Sequence, residues 1–154
     1  MDAQQATAGA TIVERLRRWI LAVLVLGLLG TVTELILLEH YEKPVQLVPV
    51  VLIALALAVI VWHVMKRGAG SRFAFVAVMA LFVLAGFAGF AAHFIGSAEF
   101  QLELDPSMST WTLVEKVLRA KAPPLLAPGM MLQLGLLGLA YIYSDARDKK
   151  KGIT

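Results

Sequence analysis

Apolar residues are gathered in four long blocks along the chain, separated by segments rich in polar residues. A bilayer core about 30 Å thick needs roughly 20 apolar residues in a helix that rises about 1.5 Å per residue. The blocks have this length, whereas the helices of a water-soluble protein would show polar residues at every turn. They predict four transmembrane helices in a single domain, residues 1–154, with spans at residues 19–38, 45–64, 73–95 and 125–143.

Lysine and arginine predict the orientation of these spans. Ten of the 14 basic residues lie at the two termini and in the turn at residues 66–72, and four lie on the other side. Basic residues in short loops favour the cytoplasm, so we expect an antiparallel bundle with both termini inside, in the inner (plasma) membrane. The first span is too long for a signal-peptide core and has no clean small-x-small cleavage site, so we interpret it as retained.

The segment at residues 96–124 is the only long connection, and the orientation places it outside. Apolar and polar residues alternate strictly over residues 99–105, which predicts a short extended segment. Asp105 and Pro106 then resemble an N-cap and a first helical residue. Four apolar residues follow at helical spacing, namely Met108, Trp111, Val114 and Leu118. We therefore expect an amphipathic helix in the outer membrane interface, with Trp111 at headgroup depth.

Composition agrees with a membrane protein and excludes several kinds of chemistry. The chain is 59% hydrophobic and 16% charged, and the mean hydropathy of +0.77 is high for a soluble domain. The absence of cysteine excludes disulfides, thiolate metal sites and CxxC redox chemistry. The net charge of +3 comes from basic residues that flank the spans, which favours contact with lipid headgroups over nucleic acid.

Polar side chains inside the spans are the first functional candidates, because such groups are unfavourable in lipid. Glu34 lies four residues before the end of the first span, where a carboxyl could bind a proton or a cation. It could equally reach the outer interface or hydrogen-bond a neighbouring helix. Gln133 lies in the middle of the fourth span, where an amide usually bonds another helix.

Two of the three histidines lie near the outer ends of different spans, and they are the candidate cofactor ligands. His40 and His93 could hold a b-type haem, and His93 with Glu34 could bind a divalent metal. No carboxylate–histidine pair at i, i+3 accompanies them, unlike in carboxylate-bridged metal bundles. His63 lies at the inner end of the second span beside Trp62, and we interpret it as an ordinary interface residue.

Small residues in the third span, Gly86 and Gly89 among them, predict close packing against another helix. No P-loop, GxGxxG, GxSxG or HExxH motif is present, so the pattern favours a non-enzymatic role without deciding it. We expect a small subunit, scaffold or accessory factor that interacts through its outer face with a partner membrane protein or a second copy. The alternatives are a haem- or metal-binding redox protein using His40 and His93, or a small channel or transporter with Glu34 in its path.

Overall fold

The computed structural model describes residues 3–39, 44–119 and 126–151, and within these ranges all regular structure is helical. Helix α1 covers Ala3–Leu37, a 3₁₀ turn at Pro44–Gln46 leads into α2 at Leu47–Met65, and α3 covers Ala69–Leu104. A short helix, α4, covers Thr110–Leu118, and α5 covers Leu126–Lys151. The prediction of an all-helical chain is therefore confirmed for the described residues.

Among the described residues, three segments are long and apolar enough to cross a membrane, judged by length and composition. They are Thr11–Leu37, Pro44–Met65 and Ala69–Leu104, which cover the first three sequence blocks except for Leu38. Their most apolar stretches have only 22–28% of residues buried inside the molecule. Large apolar side chains cover the remaining surface, as expected where lipid rather than water surrounds the helices.

The core lies where α3 and α5 pack together, and this is the most extensive helix pair. On its other side α5 packs against α1, while α2 packs mainly on α3 and less on α1. One continuous cluster of buried side chains fills the space between the four long helices, with Phe75, Phe82, Met79, Leu24 and Leu28 fully buried at its centre.

The prediction of an extended segment at residues 99–105 is wrong, because α3 continues to Leu104. The backbone N–H of Asp105 donates to the carbonyl oxygen of Gln101 at 3.1 Å, which closes the last helical turn. Phe100 and Leu104 are four residues apart, so the alternating pattern also places them on one helical face. The helix forms all its backbone hydrogen bonds locally, whereas a strand needs a neighbouring strand to pair with.

The short amphipathic helix is present, but it begins later than the sequence predicted. Its N-cap is Ser109, whose hydroxyl oxygen accepts a hydrogen bond from the backbone N–H of Thr112 at 3.3 Å. Asp105 instead closes the preceding turn, where one carboxylate oxygen accepts bonds from the backbone N–H and the hydroxyl of Ser107. Val117 is fully buried against α3, and Trp111 on α4 is 78% exposed.

Candidate functional site

The C-terminal part of α1 carries polar side chains on both its exposed and its buried face. Glu34 is exposed, within the segment that can cross a membrane. Thr33 is also exposed, and its hydroxyl donates to the carbonyl oxygen of Leu29 at 2.8 Å, so its hydrogen-bonding capacity is satisfied within the helix. Thr31 is buried on the other side, and its hydroxyl has no hydrogen-bond partner among the described residues. Glu34 is thus presented outward rather than into the bundle.

Gln133 on α5 is exposed as well, although both of its neighbours in sequence are packed. Leu134 is buried and lies against Gly27 of α1, where an added Cβ would be 2.6 Å from its Cδ2 atom. The backbone of Leu132 lies against Gly86 of α3. The side chain of Gln133 therefore points away from both helices that hold α5.

Glycines allow α3 and α5 to approach closely. A Cβ added at Gly86 would lie 2.9 Å from both the backbone nitrogen of Leu132 and the carbonyl oxygen of Pro128. At Gly135 the corresponding distance to the carbonyl oxygen of Met79 is 2.8 Å, and Gly89 is in ordinary contact with Pro128. Backbone atoms thus meet backbone atoms along this seam, which side chains larger than hydrogen would prevent.

His93 lines a shallow groove of about 380 Å³ between the end of α3 and α4. Ser97 and Gln101 follow it at successive intervals of four residues, while Phe100 and Val117 provide apolar walls. His93 is exposed and Val117 is buried. The groove thus has hydrogen-bonding side chains along one helix and apolar surface beside them.

The haem site predicted at His40 and His93 stays a prediction, because His40 lies outside the described residues. Among the described residues, no group of three or more His, Cys, Asp or Glu residues could hold a metal ion. Glu34 and His93 belong to different helices and are both exposed. Glu34, the residue predicted for a transport path, lies on the surface of the described bundle, as do His93 and Gln133.

The end of the bundle near the turn between α2 and α3 holds a polar cluster that the sequence did not indicate. His63 is 1% exposed, so its interpretation as an ordinary interface residue is wrong. Its ring packs edge-on against Phe75 and Tyr141, with ring centroids 5.5 and 6.2 Å away. The guanidinium carbon of Arg17 lies 5.7 Å from the centroid of the Tyr141 ring. Residues from α1, α2 and α3 therefore meet around Tyr141 of α5.

Ser71 connects this cluster to the turn between α2 and α3. Its hydroxyl donates to the carbonyl oxygen of Lys66 at 2.6 Å and accepts from the backbone N–H of Gly68 at 3.2 Å. The Nδ1 atom of His63 lies 3.3 Å from the same oxygen. Because the hydroxyl has one proton and directs it to Lys66, His63 donates from Nδ1. The only sequence signal was the eight-residue spacing of His63 and Ser71 across a tight turn.

Comparison with family models, with curated proteins and with solved structures finds no match for this chain.

Proposed function

We propose that this chain is a four-span protein of the inner (plasma) membrane, with both termini in the cytoplasm, and that it serves as a non-enzymatic subunit, scaffold or accessory factor of a membrane complex. The observation that carries the proposal is the outward position of Glu34 within a segment able to cross the membrane. A carboxyl in that position needs a hydrogen-bond donor that lipid tails do not supply.

The length and packing of α5 support a fourth span. The uncharged part of α5, residues 126–144, is 19 residues or about 28 Å of helix, close to the roughly 30 Å of a bilayer core. It packs against α3 more extensively than any other pair of helices and also contacts α1. A fourth crossing returns the basic C-terminal segment to the cytoplasmic side, as the lysine and arginine distribution favours.

The surface polar residues argue for a transmembrane partner. A charged side chain at the centre of a membrane helix costs roughly 2.5–3.5 kcal/mol on insertion scales. Glu34 lies near the end of its segment, where this cost is smaller, but an exposed carboxyl there still favours a protein partner over lipid. Gln133 is a second exposed polar side chain, and its helix packs against the helix of Glu34. A partner helix that hydrogen-bonds Glu34 or Gln133 removes these groups from lipid, which favours assembly over a free monomer.

Site-specific photo-cross-linking in native membranes tests the proposal. A photoreactive residue replacing Leu37, which is 77% exposed beside Glu34, should link to another transmembrane protein or to a second copy. The same group at Val61 on α2, 56% exposed, is the control and should link to lipid alone. Replacing Glu34 with Leu should abolish the link at position 37, because it removes the hydrogen-bonding group.

Co-expression of two differently tagged copies of the chain shows whether the cross-linked partner is a second copy or a different subunit. Cross-linking to lipid alone at position 37, with the wild-type chain extracted as a monomer, would refute the subunit role.

A further inference from the structure

We propose that the groove between the end of α3 and α4 binds the headgroup of a zwitterionic phospholipid that carries an ammonium group. This site depends on α3 crossing the membrane, and it is independent of the number of spans and of the subunit role.

The length of α3 places the groove at headgroup depth. From Arg72 to His93 the helix rises about 32 Å, close to the roughly 30 Å thickness of the hydrocarbon core. If Arg72 lies at one boundary of the core, then His93 lies at the other. Ser97 and Gln101 are about 6 and 12 Å farther along the helix, in the layer occupied by lipid headgroups.

The lining provides donors for a phosphate group. His93, Ser97 and Gln101 recur every four residues along the groove, and each side chain has an N–H or O–H donor. No carboxylate lines the groove, so nothing there repels a phosphate oxygen. The apolar ring of Phe100 lies beside these donors, where the glycerol and the first acyl carbons of a bound lipid would be.

The charges near the groove favour an ammonium group over a net anion. Glu99 and Glu103 are exposed and form no ion pair with any described residue. They follow the lining residues Gly96 and Phe100 by three positions, so each lies next to the groove on the surface of α3. On α4, Glu115 is paired with Arg119 at 3.1 Å, and Lys116 is an exposed cation next to Val117. Two unpaired carboxylates beside a set of phosphate donors complement the two charges of a zwitterionic headgroup, whereas they would repel an anionic one.

Gly96 provides a direct way to test the site. It lines the groove, and a Cβ added there meets nothing within 4 Å. A leucine at this position would therefore occupy the groove without disturbing the fold, and it has a better helix propensity than glycine. Gly30 on α1 also has nothing within 4 Å, so Gly30→Leu is a matched control away from the groove.

The experiment measures lipid binding to the purified full-length chain by native mass spectrometry in detergent. Phosphatidylethanolamine, phosphatidylglycerol and inorganic phosphate are added separately. We expect one phosphatidylethanolamine per chain, bound about tenfold more tightly than phosphatidylglycerol, a factor that one charge-assisted hydrogen bond can supply. Gly96→Leu should weaken this binding about tenfold, whereas Gly30→Leu should leave it unchanged.

A second variant, His93→Phe, keeps a ring but removes its N–H donors, and it should also weaken phosphatidylethanolamine binding. Equal binding by the wild type and Gly96→Leu would overturn the proposal. Tighter binding of phosphatidylglycerol would contradict the role of the carboxylates, and displacement of the lipid by inorganic phosphate would show that the site takes free phosphate.

Discussion

At the residue scale, Ser71 is the side chain that holds the turn between α2 and α3 to the buried His63. Its hydroxyl bonds Lys66, Gly68 and His63 together, so three polar groups depend on one small side chain. Removing one partner of a buried hydrogen bond leaves the other group desolvated and unsatisfied. This costs more free energy than replacing both partners with apolar groups.

We therefore expect Ser71→Ala to lower the free energy of unfolding by about 1–3 kcal/mol. Thermal unfolding in detergent, followed by circular dichroism, measures this effect. The matched control is Ser144→Ala, because the hydroxyl of Ser144 bonds only the carbonyl oxygen of Tyr141 in its own helix. Equal melting temperatures for the two variants would contradict the assigned role of Ser71.

Gly86 gives a second prediction at this scale, because its missing side chain sets the distance between α3 and α5. Gly86→Ala puts a Cβ 2.9 Å from backbone atoms of α5, which cannot move aside as a flexible side chain could. Such overpacking costs about 1–3 kcal/mol, and we expect the melting temperature to fall accordingly.

Gly129→Ala is the control for Gly86→Ala. Gly129 lies on α5 itself, next to Pro128, and an added Cβ meets nothing within 4 Å. This variant should be as stable as the wild type or slightly more stable, since alanine favours helix. If Gly86→Ala had the same melting temperature as Gly129→Ala, α3 and α5 would not be so close in the membrane.

The sequence identified some of these residues but not their surroundings. The glycines of the third block were recognised as packing residues because small side chains within an apolar span have few other uses. His63 was misjudged because its burial depends on Phe75 and Tyr141, which come from helices distant in sequence. Glu34 and Gln133 were recognised as candidates because they are polar residues within apolar blocks. Their outward exposure could not be predicted, because it depends on how each helix is rotated in the bundle, and a uniformly apolar block does not show which face points inward.

At the scale of elements, the sequence predicted the long helices. It predicted the end of α3 and the start of α4 only in part. Apolar length alone indicates a helix in lipid, because every backbone group must be satisfied internally. For residues 99–104, six alternating positions fit both a strand and the last turns of a helix. The short helix was predicted, but its start was misplaced at Asp105 because two plausible N-caps, Asp105 and Ser109, are four residues apart.

The turn at Asp105 should respond to pH. The hydroxyl of Ser107, and then its backbone N–H, donate to the Asp105 carboxylate and hold its pKa below the ordinary value. A lowered pKa in the folded state means that the carboxylate stabilises the turn at neutral pH. This contribution is lost as the pH falls through the lowered value, on the acid side of the usual aspartate range.

Amide hydrogen exchange at Ser107 measures this effect, after correction for the intrinsic dependence of exchange on pH. Protection should decrease at acid pH in the wild type, and in Asp105→Asn it should be weaker at neutral pH and independent of this titration. Protection in the wild type that does not change with pH would argue against the carboxylate as the acceptor.

At the scale of the whole molecule, the absence of cysteine makes the proposed topology directly measurable. Single cysteines at Gly9, Gly68 and Ser107 mark the N-terminal segment, the turn between α2 and α3 and the turn after α3. A membrane-impermeant thiol reagent added to intact cells, with the outer layers permeabilised where needed, should label only position 107. Labelling of position 9 or 68 before the membrane is opened would reverse the orientation.

The packing of α5 on α3 also bears on how the chain is made. Synthesis proceeds from the N-terminus, so α5 leaves the ribosome after α1, α2 and α3. The glycine-lined face of α3 that receives α5 is therefore exposed to lipid, or to the insertion machinery, until α5 has been made. A nascent chain that stops before residue 126 would already contain three membrane-capable helices but would lack the contact between α3 and α5. A chain without α5 thus exposes this face of α3, which gives membrane proteases a way to distinguish it from a chain that contains α5.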